Sequence, residues 1–522
     1  MMKKGIAILL AMLLVCGMLF AGGAGEISST STSSEVKKGG VFRIAITGDA
    51  STMSLYELRG TSDCLYLDSI FESLMVNDET GTPTPFLAES VVGDPEALTY
   101  TIKLKEGIKF HDGSELTAEV CKWNLEMYKE YGVLSSSFMS KIDNIVATDK
   151  YTVVINMSSW DPFLPNNMAR SNGCGYMMSK QAFDTYGMEY IKTHPVTTGP
   201  FVFDHWERDT KVVLTKNADY WQGEPNLDGV EIVVYSTLLV AEAALKTGEV
   251  QAIFGADTEM CDYLKSEGYC VSSTAVPSTC YNICMDCTDE TDPLSNLKCR
   301  QAVAYAIDSA TIADVVFSEY GILSNQYSWP GERCYNESVN YDYNPEKAKA
   351  LLAEAGYPNG FSTVIHSVSS SVYNQITQIV QEQLAQVGIK VEIDNTDIAG
   401  YLANINGWGQ GMLIHPMGLA NGVPAQIAAN YVQGLKAGIG VTTFIHNDEM
   451  NSLIQKGMTQ SGDELTETFK TVQGIIFGDL CMMKVIACTT ATNVYSPKLM
   501  DSGFGEVSAS RCSTYWKTWI AE

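Results

Sequence analysis

Apolar and polar residues alternate most clearly between positions 195 and 220. Phe201 and Phe203 are separated by polar neighbours, a charged turn follows, and Val212, Val213 and Leu214 resume the apolar run. This predicts a strand pair. Thr198-Gly199-Pro200 in front of it is a turn that lets one backbone approach another closely, and Asn217–Trp221 caps the second strand. Val41–Thr47 predicts a short strand, and Leu98–His111 another, with Tyr100, Ile102 and Leu104 alternating with Thr101, Lys103 and Lys105. Asp112-Gly113-Ser114 turns the chain into a helix over Thr117–Tyr131 with Thr117 at its N-cap, and Tyr151–Met157 is again a strand. Leu67, Ile70, Phe71 and Leu74 fall on one helical face, predicting a helix within Leu65–Met75. A further helix lies within Tyr343–Phe361: Pro345 sits early, Gly356 ends it and Pro358 lies beyond. Val372–Glu392 predicts a helix, a break at Gly388 and a strand.

At 522 residues and 45% hydrophobic content, the chain exceeds one ordinary core, so two or more lobes are expected. Its net charge of −27, with no basic patch, argues against nucleic acid as a partner. Lys3 and Lys4 precede an apolar run from Ile6 to Phe20 and the small residues Ala21–Ala24. This pattern predicts a signal peptide over residues 1–24, cleaved after Ala24 and followed by a Ser/Thr-rich linker over 25–40. Export to the periplasm or the outer face of the cytoplasmic membrane follows. A lipid anchor at Cys16 is the less favoured alternative, because Val15 stands where a lipobox needs a small residue. Removing Cys16 from the fourteen cysteines leaves an odd number, so not all can pair within one chain. Their spacing suggests no framework and several lie in apolar stretches, as core thiols do. A source that lives without oxygen would reconcile export with free thiols.

The stretch Pro195–Tyr220 with Trp221–Ile232 resembles the "PVGTGPYKF…NPDYWGGKP" segment of bacterial extracellular solute-binding proteins of the oligopeptide, dipeptide and nickel type. Leu98–Val120, Leu239–Phe254, Lys298–Ile312, Tyr343–Phe361 and Val372–Glu392 are similar to other segments of that family, from Val41 onward and weakening after Tyr401. The resemblance implies an α/β, two-lobed periplasmic-binding-protein fold (type II-like) with a two-stranded hinge and an extra subdomain in the first lobe. The expected division is lobe I over 41–279 with its insert at about 82–194, lobe II over 280–488, and a return to lobe I over 489–522. The function implied is capture of a solute by hinge closure and delivery to ABC permease and ATPase subunits, by a monomer with no cofactor. An oligopeptide or dipeptide is the first solute class; a chelated metal such as nickel or an oligosaccharide is the alternative.

Peptide-binding relatives carry a tryptophan and an aspartate in a motif of the "GWGADYPDP" kind, the carboxylate neutralising the peptide ammonium. Here Gly411–Val423 reads GMLIHPMGLANGV, so Met417 replaces the tryptophan, and Ala420 or Asn421 the aspartate. The other candidates come from position. Arg59 and Asp63 lie on the loop after the first strand, Arg170 precedes another ligand-reaching loop, and arginines there suit a carboxylate. Each is equally consistent with a surface charge. His415 and Met417 are soft-metal candidates whose alternative is packing beside Pro416; Trp408 can stack on a sugar or close a turn. Cys280, Cys284 and Cys287 offer a single C-x₂-C pair without a histidine and read as strand cysteines. Neither G-x-S-x-G, H-E-x-x-H nor a P-loop occurs, so no enzyme is expected. A cysteine-based metal or redox protein and a secreted hydrolase remain the readings from other classes.

Overall fold

The computed structural model describes residues 36–57, 66, 69–78, 81–132, 135–169, 173–274, 276–405, 407–419, 422–431, 443–504 and 515–522. Two large sheets dominate the unit from Lys38 onward. The first has seven strands in the order Cys270–Ser273, Thr492–Tyr495, Ala252–Phe254, Val41–Ile46, Gly229–Val234, Lys211–Lys216 and Phe201–Glu207. The second has six: Gly321–Ile322, Met483–Thr489, Thr279–Met285, Met412–Gly418, Ser362–Val368 and Lys390–Thr396. A separate four-stranded antiparallel sheet is built from Ala88–Asp94, Thr99–Leu104, Thr152–Met157 and Ile142–Ala147. One hydrophobic cluster is drawn wholly from residues between Cys280 and Cys488. A second runs from Phe42 to Ala252 and is completed by Leu499, Phe504 and Tyr515.

Local chemistry explains the elements. Helix Ala118–Tyr131 starts where the Thr117 hydroxyl accepts from the Val120 amide. Helix Pro345–Glu354 has Asn344 accepting from the Lys347 amide at 2.9 Å and is followed by Gly356 at φ +92°. Gly199 allows the close approach its turn predicted: a Cβ there would stand 2.8 Å from the Ile70 carbonyl oxygen. The same turn is locked to the His111 segment, whose amide donates to Thr197 O (2.8 Å) and whose Nε2 lies 2.9 Å from Gly199 O. Two sequence motifs are thus one structural joint.

The predicted helix over Leu65–Met75 needs correction. Tyr66, Ser69 and Ile70 are helical, but from Phe71 the chain opens and Met75–Asn77 is a strand paired with Pro83–Pro85. The backbone bonds go sideways instead of along a helix: Leu74 N donates to Gly175 O and Met177 N to Glu72 O. That path carries Glu72 into the core. Its carboxylate, 1% exposed, accepts from Thr198 Oγ1 (2.7 Å), Tyr220 Oη (2.5 Å) and Trp221 Nε1 (3.0 Å). Burial pushes the acid up to about 7 against the pull of those three donors.

In the other cluster, two buried cations serve packing. Arg300 spends its guanidinium on carbonyls, Nη1 donating to Leu294 O and Ser295 O and Nη2 to Leu480 O, each at 2.8 Å. Lys484, on a strand buried along its whole length, donates to Asn325 Oδ1 and Tyr341 O, and burial pulls its ammonium down to about 8.

Candidate functional site: the cleft between two sheet ends

Strand register shows where a solute can sit. In the first sheet Val41–Ile46, Gly229–Val234 and Ala252–Phe254 run parallel and end at one side. The chain leaves this sheet at that side after Ser273 and re-enters it there at Thr492. In the second sheet Ser362–Val368, Lys390–Thr396 and Met412–Gly418 also run parallel. Their carboxyl ends lie beside Thr279 and Thr489, where the chain enters and leaves. The two connections bond to each other: Thr274 N donates to Ala491 O at 3.0 Å and Ser278 N to Thr489 O at 2.8 Å. Each sheet therefore turns the carboxyl ends of its parallel strands toward the other across a paired crossing. Crevices outside such ends are where open α/β sheets bind ligands.

The first sheet contributes charged groups. A pocket of about 350 Å³ is lined by Ser51, Thr52, Glu57, Glu189, Lys192, Thr193 and Arg208. Lys192 Nζ lies between Glu57 (3.1 Å) and Glu189 (2.8 Å). Arg208 stacks 3.5 Å above the Trp206 ring and donates to Ala50 O at 2.9 Å. Asp49 ties the loop after the first strand to this turn, accepting from Trp206 Nε1 (3.0 Å) and the Asp209 amide (2.8 Å).

Aromatic groups dominate at the second sheet. Tyr281, beside the crossing, packs on Phe317 (4.9 Å between centroids) and Tyr373 (5.9 Å). Tyr401 lies nearly parallel to His415, with its hydroxyl 2.5 Å from Nδ1. Burial drives the His415 imidazole down to about 4, so it is neutral at pH 7. The two sides touch at Phe163, whose ring meets Phe469 edge-on at 6.4 Å and packs against the second cluster.

Of the residues singled out in the sequence, Arg59, Asp63, Arg170 and Asn421 lie outside the described residues, as does Ala420. His415 is half-buried at the middle of strand Met412–Gly418. Met417 and Trp408 are both buried and packed. Met417 is 2% exposed and its Sδ accepts from Gln426 Nε2 at 3.0 Å. Trp408 is 6% exposed, donates to Gly411 O at 3.3 Å and lies edge-on to Phe444. Among the described residues no cluster of His, Cys, Asp and Glu is arranged to hold a metal, and no helix is long and apolar enough to cross a membrane. Sequence reading missed Lys192 and Arg208. Only Arg208 had a local signal: Trp206-x-Arg208 at a strand end followed by an Asp turn.

Comparison with known proteins agrees with this architecture. A family model described as bacterial extracellular solute-binding proteins, family 5 Middle, matches residues 82–438. The glutathione-binding protein GsiB of Escherichia coli (strain K12) is 32% identical over 372 residues, covering 70% of this chain and 72% of that protein. Among solved structures, the periplasmic binding protein DppA of Helicobacter pylori in complex with the peptide STSA superposes with a TM-score of 0.73 at 23% identity, over 93% of this chain and 99% of that one. CtaP, an ABC transporter substrate-binding protein of Listeria monocytogenes, gives 0.81 at 22% identity, over 93% and 100%. The two structures share the two-lobed fold.

Proposed function

The chain belongs to the bacterial extracellular solute-binding proteins of family 5, and from that premise we propose that its solute is a short, zwitterionic peptide of the glutathione or oligopeptide kind. The observation that carries this reading is the mixed charge of the pocket. Lys192 and Arg208 stand beside Glu57 and Glu189 around about 350 Å³. A peptide brings a carboxylate for the guanidinium and an ammonium for the acids, while its side chains meet apolar rings. Arg59, Asp63, Arg170 and Asn421 are proposed as further contacts from their sequence positions.

Closure follows from contacts made to both sides. A solute that touches both lobes only when they are shut favours that state by its differential affinity. Hinge closure around a ligand is the general motion of periplasmic binding proteins as a class. We place the division of lobes at Cys280 and Cys488, with an insert over about 82–194; the separation of the hydrophobic clusters at those positions supports it. The membrane partners proposed are an ABC permease and its ATPase, reached after export under the segment 1–24. The solute is released unchanged.

A thermal-shift panel tests the solute class, using glutathione, tri- and tetrapeptides, amino-acid–nickel chelates and oligosaccharides. A true ligand at a hundred times its Kd adds about 2.7 kcal/mol, so peptides should raise the midpoint and the others should not. Hits confined to nickel chelates or sugars would replace the peptide reading.

A further inference from the structure

We propose that Cys280 and Cys488 form a disulfide that ties together the two strands by which the chain enters and leaves the second sheet. The two Sγ atoms are 3.1 Å apart. Their residues are direct partners in the antiparallel register, one step from the end pair Thr279 and Thr489. Opposed antiparallel residues have Cα atoms roughly 4.5–5.5 Å apart, inside the roughly 4.4–6.8 Å window of a disulfide. Both are free thiols in the structure, and register and sulfur separation together place them within reach of the bond.

The bond forms in the folding chain. In the folded protein both side chains are fully buried, and burial raises the Cys280 thiol well above its usual range, so the pair is closed to an oxidant there. Before burial, the Cys280 thiolate attacks a disulfide oxidant of the glutathione-disulfide class and expels one thiolate. Cys488 then attacks the mixed disulfide and expels the second. The protein loses two electrons and two protons, and the oxidant becomes two thiols. The staple closes the long loop between the two positions, which restrains the unfolded chain. It also pins the register beside the bulge between Tyr281 and Asn282. Bending is thereby kept out of the two stapled strands. This hinge role rests on the solute-binding reading; the bond itself does not.

The test is a non-reducing peptide map of the full chain refolded from the reduced, unfolded state with reduced and oxidised glutathione, then quenched by alkylation. The expected result is one linked species joining the Cys280 and Cys488 peptides and lacking two hydrogens. Reductant should lower the unfolding midpoint of that protein by several degrees, and leave Cys280→Ala unmoved. Free, alkylated Cys280 and Cys488, or a bond from Cys280 to Cys284 or Cys287, would overturn the proposal. The map needs no solute, so a negative result leaves the peptide reading standing, and a failed ligand panel leaves the bond standing.

Discussion

The two sides of the cleft are built from different chemistry. The first sheet presents charge: Lys192, Arg208, Glu57 and Glu189 surround its pocket, and in the same cluster's interior the buried Glu72 gathers three donors. The second presents rings, Tyr281 on Tyr373 and Tyr401 on a neutral His415, over a core rich in sulfur at Cys280, Cys284, Met417 and Cys488. Polar groups fix orientation at the cost of needing every partner, whereas rings and sulfur tolerate variation in what they touch. On the proposed reading, the first side holds the solute's charged ends in register, and the second closes over whatever lies between them.

The largest break in this comparison comes from Glu72→Ala. It strands the Thr198, Tyr220 and Trp221 donors in the core, and unmet buried groups cost about 1–3 kcal/mol each. Urea unfolding should show a loss of about 3–5 kcal/mol. A loss below about 1 kcal/mol would mean that water or rearrangement replaces the carboxylate.

The pH dependence of stability should carry opposite signs from the two sides. Glu72 is raised from 4.5 to about 7, so between those values the folded protein holds a proton that the unfolded chain has lost. Stability from this group therefore falls as pH rises through that window, by about 3 kcal/mol. His415 is lowered from 6.5 to about 4, so there the unfolded chain holds the extra proton. Its contribution rises by about 3 kcal/mol as pH climbs from 4 to 6.5. Against the parent protein, Glu72→Gln should make the slope of stability with pH more positive, and His415→Gln less positive, in denaturation curves at stepped pH. Parallel curves would contradict the assignment of opposite roles.

Phe163→Ala removes a ring contact across the cleft. Aromatic pairs contribute about 0.5–1.5 kcal/mol, so solute affinity by titration calorimetry should weaken about 2- to 12-fold. An unchanged affinity would show that closure does not use this contact. The smallest effect is expected from Tyr401→Phe, which deletes one hydrogen bond to His415 and should cost about 1 kcal/mol of stability in urea unfolding.

What the sequence disclosed divides along the same line. The His111 and Gly199 motifs were legible because each residue has a fixed backbone partner only a few residue types can satisfy. Pro345 and Gly356 announced their helix because one tolerates the first turn and the other a left-handed end. The helix around Ile70 misled because its apolar spacing continued past the point where Glu72 leaves for the core. Lys192 and Arg208 come from separate elements with no shared spacing, so nothing local marked their pocket. The aromatic side is assembled from four segments, and Cys280 meets Cys488 only through strand register. Tertiary register, absent from any window of sequence, made those sites.

Small-angle scattering of the purified protein, with and without a saturating peptide from the panel, tests the central claim most directly. Closure of two lobes over a solute predicts a smaller radius of gyration with the peptide bound, and a reduced contraction in Phe163→Ala. An unchanged radius at proven saturation, in a protein that binds the peptide, would contradict capture by closure.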